Sequence, residues 1–304
     1  MIKQKVIFYL RGLLTKLDFI HFPTKYLYEF YYKVIIYLLQ NDFKVADEQI
    51  KLKSIPKSNQ TQNFVWFMWW QGMENAPQIV RVNYKRVKKL FGDDNVVLIS
   101  KSNYKDFTDV SNEIISKVNK GEITFTQWSD ILRFNLLKNH GGMWIDSTVI
   151  VSNAFVSYFN QKKKEKFFSI CSDREEYHYI SHSLWTSWLC GGSPNYELFI
   201  FMDEFFKTYF RNHQLNVDYY LIDDAIYYYY LTHTNFQRMI GQQRQYWEPY
   251  LFVNNFSKKS FNRYLYMFSK EREYSVQKFS YKGKFSLLPQ KDTLFYKIIE
   301  NDID

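Results

Sequence analysis

Two cysteines, six prolines and ten glycines are few for a chain of 304 residues. Cys171 and Cys190 cannot build a disulfide framework and show no zinc-site spacing, which points to an intracellular, reducing setting. The scarcity of glycine and proline excludes collagen-like and low-complexity classes and favours long regular elements. No uncharged apolar stretch reaches the roughly 18 residues of a membrane span. Arg11 interrupts the opening apolar run before the hydrophobic region of a signal peptide can form. Internal repeats are absent. At 46% hydrophobic and 23% charged residues the chain is not disordered, and its length suffices for about two domains or one large one.

What is abundant is aromatic and basic. The chain holds 28 Phe, 26 Tyr and 8 Trp. Lys, Asn, Ile, Tyr and Phe rise together, as in an AT-rich coding sequence, but that bias does not explain the tryptophans. A net charge of +9 suggests an anionic partner: nucleic acid, a membrane surface or a phosphorylated substrate. Acidic residues are spread throughout and no nucleic-acid-binding motif is present, so nucleic acid is not expected.

Val6, Leu10, Leu13, Leu14 and Leu17 share one helical face, and a second apolar helix is predicted after Pro23, from Lys25 to about Leu39. Lys3, Lys5, Arg11 and Lys16 precede the first acid, Asp18. Such helices suit either a bilayer interface or packing against the main domain. Residues 41–62 read as a connector, giving an N-terminal helical extension and linker over 1–60 and a main domain with a basic C-terminal segment over 61–304. In the latter, Phe64–Met68, Asn95–Ile99 and Met143–Ile145 are predicted strands, separated by helices over Pro77–Phe91 and Gln127–Asn139. That is the order of a parallel α/β sheet, whose ligands sit beyond the carboxyl ends of the strands. Further strands are predicted over Phe167–Ser172 and Trp185–Cys190, and further helices over Asn195–Phe210 and Asp218–Leu231.

The segment richest in chemistry runs from Ser129 to Thr148. Asp130 and Arg133 lie three residues apart and share a helix face. Gly141 and Gly142 end that helix, and the next strand delivers Asp146. An Asp–Arg pair can grip sugar hydroxyls, and a strand-end carboxylate can hold a ribose or a divalent cation. Spacing alone slightly favours an ordinary surface ion pair beside a strand-terminating Asp.

Ser129-Asp130-x-x-Arg133 followed by Gly141-Gly142-x-Trp144-Ile145-Asp146 resembles the sugar-nucleotide signature of glycosyltransferase family 32 and its capsular polysaccharide synthesis relatives; clostridial glucosylating toxins carry a similar one. Phe64-Val65-Trp66 with Trp69 to Pro77 resembles the opening strand and loop of the capsular group. Val276 to Lys282 resembles its closing basic motif. The likeness covers roughly residues 60 to 285. It implies a GT-A fold, a nucleoside-diphosphate-sugar donor, most simply a UDP-hexose, and retention of anomeric configuration. By position, Val65, Trp66 and Gln71 fall at the nucleoside, Gly141 and Gly142 beside the donor, Asp130 and Arg133 at the donor sugar, and Asp146 at ribose, sugar or metal. Relatives usually show Asp-x-Asp binding manganese or magnesium, whereas this chain reads Asp146-Ser147-Thr148, which puts metal use in question.

Glycosyl transfer puts negative charge on the departing diphosphate, which a metal can stabilise; Lys278 and Lys282 can do so as well if the tail folds over the site. Trp185 and Trp188 are candidates for stacking on acceptor sugars or for simple packing. Asp218, Asp223 and Asp224 are candidates for sugar or acceptor binding, or charges that suit a helix start. The expected function is assembly of a bacterial surface polysaccharide on a lipid-linked oligosaccharide acceptor, by a cytoplasmic protein peripheral on the anionic inner face of the cell membrane. A catalytically inactive sugar-binding or membrane-surface scaffold is the alternative.

Overall fold

The computed structural model describes residues 2–17, 21–52, 63–172, 176–214, 216–243, 245–286 and 289–300. Helices α1 (Ile2–Lys16) and α2 (His21–Leu52) precede strand β1 (Val65–Met68). Helix α3 (Gln78–Phe91), β2 (Val96–Ile99), α4 (Asn112–Asn119), α5 (Phe125–His140) and β3 (Gly142–Ile145) follow. The chain continues through β4 (Val149–Val151), α6 (Asn153–Lys162), β5 (Phe168–Ser169), β6 (Cys171–Ser172) and β7 (Leu189–Gly192). The last third holds α7 (Glu197–Asn212), α8 (Leu221–Thr232), α9 (Thr234–Gln243), β8 (Tyr246–Trp247), α10 (Leu251–Asn255), α11 (Asn262–Lys270), β9 (Val276–Lys278) and α12 (Leu294–Ile299).

The main sheet has the order β2-β1-β3-β7-β5. β1 runs parallel to β2 and β3, while β7 is antiparallel to both β3 and β5. The chain leaves β1 on one side for β2 and returns on the other for β3. The connections thus change sides at the carboxyl ends of β1 and β3, the place where open α/β sheets bind ligands. Two small sheets, β4 with β9 and β6 with β8, complete a mixed α/β architecture of the expected GT-A-like type.

Strand alternation sorts side chains onto two cores. Trp66, Met68 and Trp144 face one core with α2, α5, α7 and α8. Val65, Phe67, Met143 and Ile145 face the other, with α3, α6 and the C-terminal helices. β3 fits because it opens on glycine: Gly142 has φ 87°, and a Cβ there would stand 2.4 Å from the Phe64 carbonyl oxygen. Both cysteines are buried and neither forms a disulfide.

Helix α2 settles part of what the sequence left open. It runs to Leu52, so the connector expected over 41–62 is helical as far as Leu52, and 53–62 lie outside the described residues. Tyr28, Tyr31, Tyr32, Ile35, Leu39, Phe43 and Ala46 line one face and are buried in the first core. Fully burying a side chain of that size stabilises by about 1.5–3 kcal/mol, so α2 is an integral layer. Arg11 fastens α1: Nη1 donates to Asp218 Oδ2 at 3.1 Å and Nη2 to the His178 carbonyl oxygen at 2.7 Å. The strand expected over Trp185–Cys190 instead begins at Leu189 and ends at Gly192.

Candidate functional site

The capping box of α5 fixes the start of the helix that carries Asp130 and Arg133: Thr124 accepts from the Gln127 amide, and the Gln127 side chain accepts from Thr124. Arg133 is almost fully buried, and its guanidinium lies 4.9 Å from the Trp144 ring centroid. Nη1 donates to Asp130 Oδ1 at 2.8 Å and Nη2 to Asp146 Oδ1 at 3.1 Å. Spacing had suggested two carboxylates and a cation near one spot; the arginine bridges both.

Asp146 follows β3 and is held by its backbone as well, its amide donating to the Trp188 carbonyl oxygen at 2.9 Å. Its Oδ1 also accepts from Trp144 Nε1 at 2.8 Å. Its Oδ2 accepts from Lys278 Nζ at 2.7 Å, and that ammonium stands 3.2 Å from Thr148 Oγ1. Pairing of β4 with β9 places Lys278 opposite Val149 and carries the closing basic motif onto the site. Lys278 Nζ also lies 5.5 Å from the Trp188 ring centroid. Burial acts to raise the Asp146 pKa, but Lys278 and Arg133 outweigh it and hold the carboxyl below its ordinary range. At Asp130 burial prevails over Arg133, with Asp146 and Asp223 adding repulsion, and the carboxyl is pushed up to about 7.

Lys278 and Trp188 border a cavity of about 210 Å³ that is also lined by Glu176, Tyr179, Tyr220, Asp223 and Tyr250. Ser172, Ser181, Ser183 and Ser187 add hydroxyls. Trp185 borders it too but is buried, donating from Nε1 to Asp223 Oδ1 at 3.1 Å. Asp223, raised to about 6 by burial against the pull of Trp185 and Arg133, is thus a cavity-wall carboxyl. Tyrosine faces, hydroxyls and carboxyls at one small cavity match the amphipathic faces and hydroxyls of a sugar.

The other candidates lie elsewhere. Val65 and Trp66 are sealed in the two cores, and Trp66 Nε1 donates to the Gly141 carbonyl oxygen at 2.8 Å. Gln71 is exposed in the loop after β1. Gly141 and Gly142 form the α5–β3 turn; at Gly141 (φ 66°) a Cβ would meet Pro194 at 2.6 Å. Lys282 is exposed, with Nζ 5.5 Å from the Tyr281 ring centroid, and Tyr281 packs edge-on against Trp69 beyond the end of β1. Asp218 is buried and committed to Arg11. Asp224 is fully buried with neither oxygen hydrogen-bonded among the described residues, and burial together with Asp218 raises its pKa well above the ordinary value. The sequence did not single out Tyr179, Tyr220, Tyr250 and Glu176, whose loops meet at the cavity only through the tertiary fold.

A divalent cation needs several open oxygen ligands. Both Asp146 oxygens are engaged by cationic or N–H donors, Asp130 is tied to Arg133, and position 148 offers a hydroxyl already beside Lys278. Among the described residues no group of three or more His, Cys, Asp or Glu could hold a metal ion. This donor set does not suit a divalent cation.

The profile of the capsular polysaccharide synthesis protein family matches residues 23–298. The chain belongs to that family. The match spans α2 to α12, so it includes the Asp130–Arg133–Asp146–Lys278 cluster and the cavity. It ties this capsular polysaccharide synthesis protein to capsule biosynthesis. No curated protein and no solved structure matches it. Among its described residues no helix is long and apolar enough to cross a membrane.

Proposed function

We propose that the protein is a glycosyltransferase that moves a hexose from a nucleoside-diphosphate sugar, most simply a UDP-sugar, onto a glycan acceptor of capsule assembly. One observation carries the reading: at the carboxyl end of β3, the Lys278 ammonium, anchored on Asp146 whose other oxygen is held by the buried Arg133, borders a hydroxyl- and tyrosine-lined cavity. The ammonium suits a diphosphate and the cavity suits a sugar. Transfer breaks the bond between the anomeric carbon and the β-phosphate oxygen, whose electron pair stays on that oxygen. The acceptor hydroxyl forms the new bond and its proton leaves with the diphosphate; retention is the outcome that the family 32 resemblance implies. Lys278 is placed to stabilise the departing charge, while Arg133 and Asp130 orient the sugar.

The acceptor in this reading is lipid-linked and reached at an anionic inner membrane face. Tyr26, Phe30, Lys33 and Tyr37 form an exposed stripe on α2, and Tyr9 and Leu13 are exposed on α1. Exposed aromatic residues beside lysines suit a bilayer interface. A groove of about 600 Å³ lies between α2 and α8, and its wall includes Tyr37, Tyr227 and His182, whose neighbours Ser181 and Ser183 line the cavity. That loop lies between the membrane stripe and the proposed acceptor site.

An inactive sugar-binding scaffold is the second reading, favoured by Thr148 at the place of a second carboxylate. Incubation with a panel of UDP- and GDP-sugars and lipid-linked glycans, following nucleotide release, separates the two. Turnover supports the transferase. Binding without turnover across the panel supports the scaffold, and neither binding nor turnover by folded protein, with or without manganese, contradicts both.

A further inference from the structure

The Asp146-Ser147-Thr148 turn bridges its two ends with a cation supplied by the protein. A carboxylate at each of these positions would offer oxygen ligands to a divalent cation, whose charge would meet a diphosphate. Here the second carboxylate is a threonine, and a lysine ammonium lies 2.7 Å from Asp146 Oδ2 and 3.2 Å from Thr148 Oγ1. Removing one carboxylate and adding one ammonium changes the local charge in the same direction as a bound cation.

The ammonium is anchored by more than its ion pair. The β4–β9 pairing sets Lys278 opposite Val149, and its amide donates to the Pro249 carbonyl oxygen at 2.8 Å. The Trp188 face lies 5.5 Å from Nζ, a distance at which a ring attracts a cation. Asp146 and Thr148 engage two of the three ammonium hydrogens, leaving one for a ligand oxygen at the cavity that Lys278 lines. Three of the roughly four lone-pair sites of the Asp146 carboxylate already accept N–H donors, and a metal ion on the remaining one would stand beside the Lys278 ammonium and be repelled by it.

We propose that the site handles its nucleoside-diphosphate sugar without a divalent cation, the Lys278 ammonium filling the place between positions 146 and 148 that a metal takes where both are carboxylates. This rests on the transferase reading and specifies how the diphosphate charge is met. Lys278 contacts the leaving group directly. As the anomeric bond breaks, the electron pair passes to the β-phosphate oxygen beside an ammonium that is already in place and needs no recruitment from solution.

The test is calorimetric titration of the full chain with UDP and, separately, GDP, in EDTA and in manganese. The expected result is one affinity for the preferred nucleotide, unchanged between the two buffers. Lys278→Ala weakens it roughly 10- to 100-fold in both buffers, the scale of one charge-assisted contact. Lys278→Arg stays within about tenfold of wild type. Because Lys278 belongs to the β4–β9 pair, Lys278→Gln and a melting curve for each variant accompany Lys278→Ala. In the double variant Thr148→Asp/Lys278→Ala, manganese restores binding that EDTA abolishes. Wild-type binding that disappears in EDTA and returns with manganese overturns this inference alone, as does a folded Lys278→Ala that binds like wild type. No binding of either nucleotide in either buffer overturns the transferase reading together with it.

Discussion

Lys278 sits 132 residues beyond Asp146 in the chain, yet its Nζ is 2.7 Å from Asp146 Oδ2. Arg133 holds the other oxygen of the same carboxylate. Asp146 is therefore the shared anion of two cations carried by different parts of the fold, α5 and β9. It organises the carboxyl end of the central strand β3 whether or not it touches a ligand.

Asp146→Asn is expected to keep the fold, since the amide has the same shape and the side chain is 26% exposed. It should reduce sugar transfer at least about 100-fold, because the two cations lose their common anchor. Circular dichroism and a nucleotide-release assay on the same sample check this. Asp146→Ala should lose transfer as completely, with a lower melting temperature, since it leaves Arg133 short of one partner.

Arg133→Lys keeps the charge but cannot bridge Asp130 and Asp146 as a fork does. Transfer is expected to fall by about tenfold or more. Arg133→Ala leaves two partly buried carboxylates facing each other and is expected to cost about 3 kcal/mol or more of stability, measured by urea unfolding.

Much of this cluster was legible from Asp130, Arg133 and Asp146 because they are close in sequence: an i, i+3 pair and a strand reached through a glycine turn. The parallel half of the sheet was legible too, from its apolar runs. Lys278 was reached only through the likeness of the closing motif, since no local pattern announces a pairing across half the chain. Trp185 illustrates the other limit. Stacking and packing could not be separated in the sequence, and the structure shows a buried indole donating to Asp223. The tyrosines of the cavity carried no signal among 26, and the docking of Arg11 onto Asp218 depends on α1 folding back across the domain.

The Asp130 carboxyl, raised to about 7 by burial, gives a pH signature. The folded state keeps this proton where the unfolded chain, near 3.8, has lost it. The group's contribution to stability is full below about 3.8 and is lost as pH rises to about 7. The loss is roughly 1.4 kcal/mol per pH unit while the two states differ in protonation. Asp130→Asn should therefore gain stability relative to wild type as pH rises from 4 to 7, seen as a growing difference in melting temperature. A constant difference across that range contradicts the raised carboxyl.

Arg11→Ala leaves Asp218 buried without its cation and is expected to destabilise the chain by about 3–5 kcal/mol. Arg11→Met/Asp218→Asn, which removes both charges, should recover part of that loss in urea unfolding. Equal stability of Arg11→Ala and wild type would mean that α1 does not dock as described.

The exposed stripe yields a test that spares the core. Tyr26→Ser, Phe30→Ser and Tyr37→Ser together should lower co-sedimentation with anionic liposomes several-fold while leaving nucleotide affinity unchanged. High salt should release the wild-type protein, since the lysines contribute through a screened attraction. Deleting the first forty residues is not an equivalent test, because it removes buried residues of α2.

The central claim, that the Asp146–Lys278 edge receives the donor diphosphate, is tested most directly by a crystal structure of the full chain with UDP. The account predicts a β-phosphate oxygen about 3 Å from Lys278 Nζ, with the uridine at the carboxyl ends of β1 and β3. UDP seated away from that edge, or no bound UDP at saturating concentration, would contradict it.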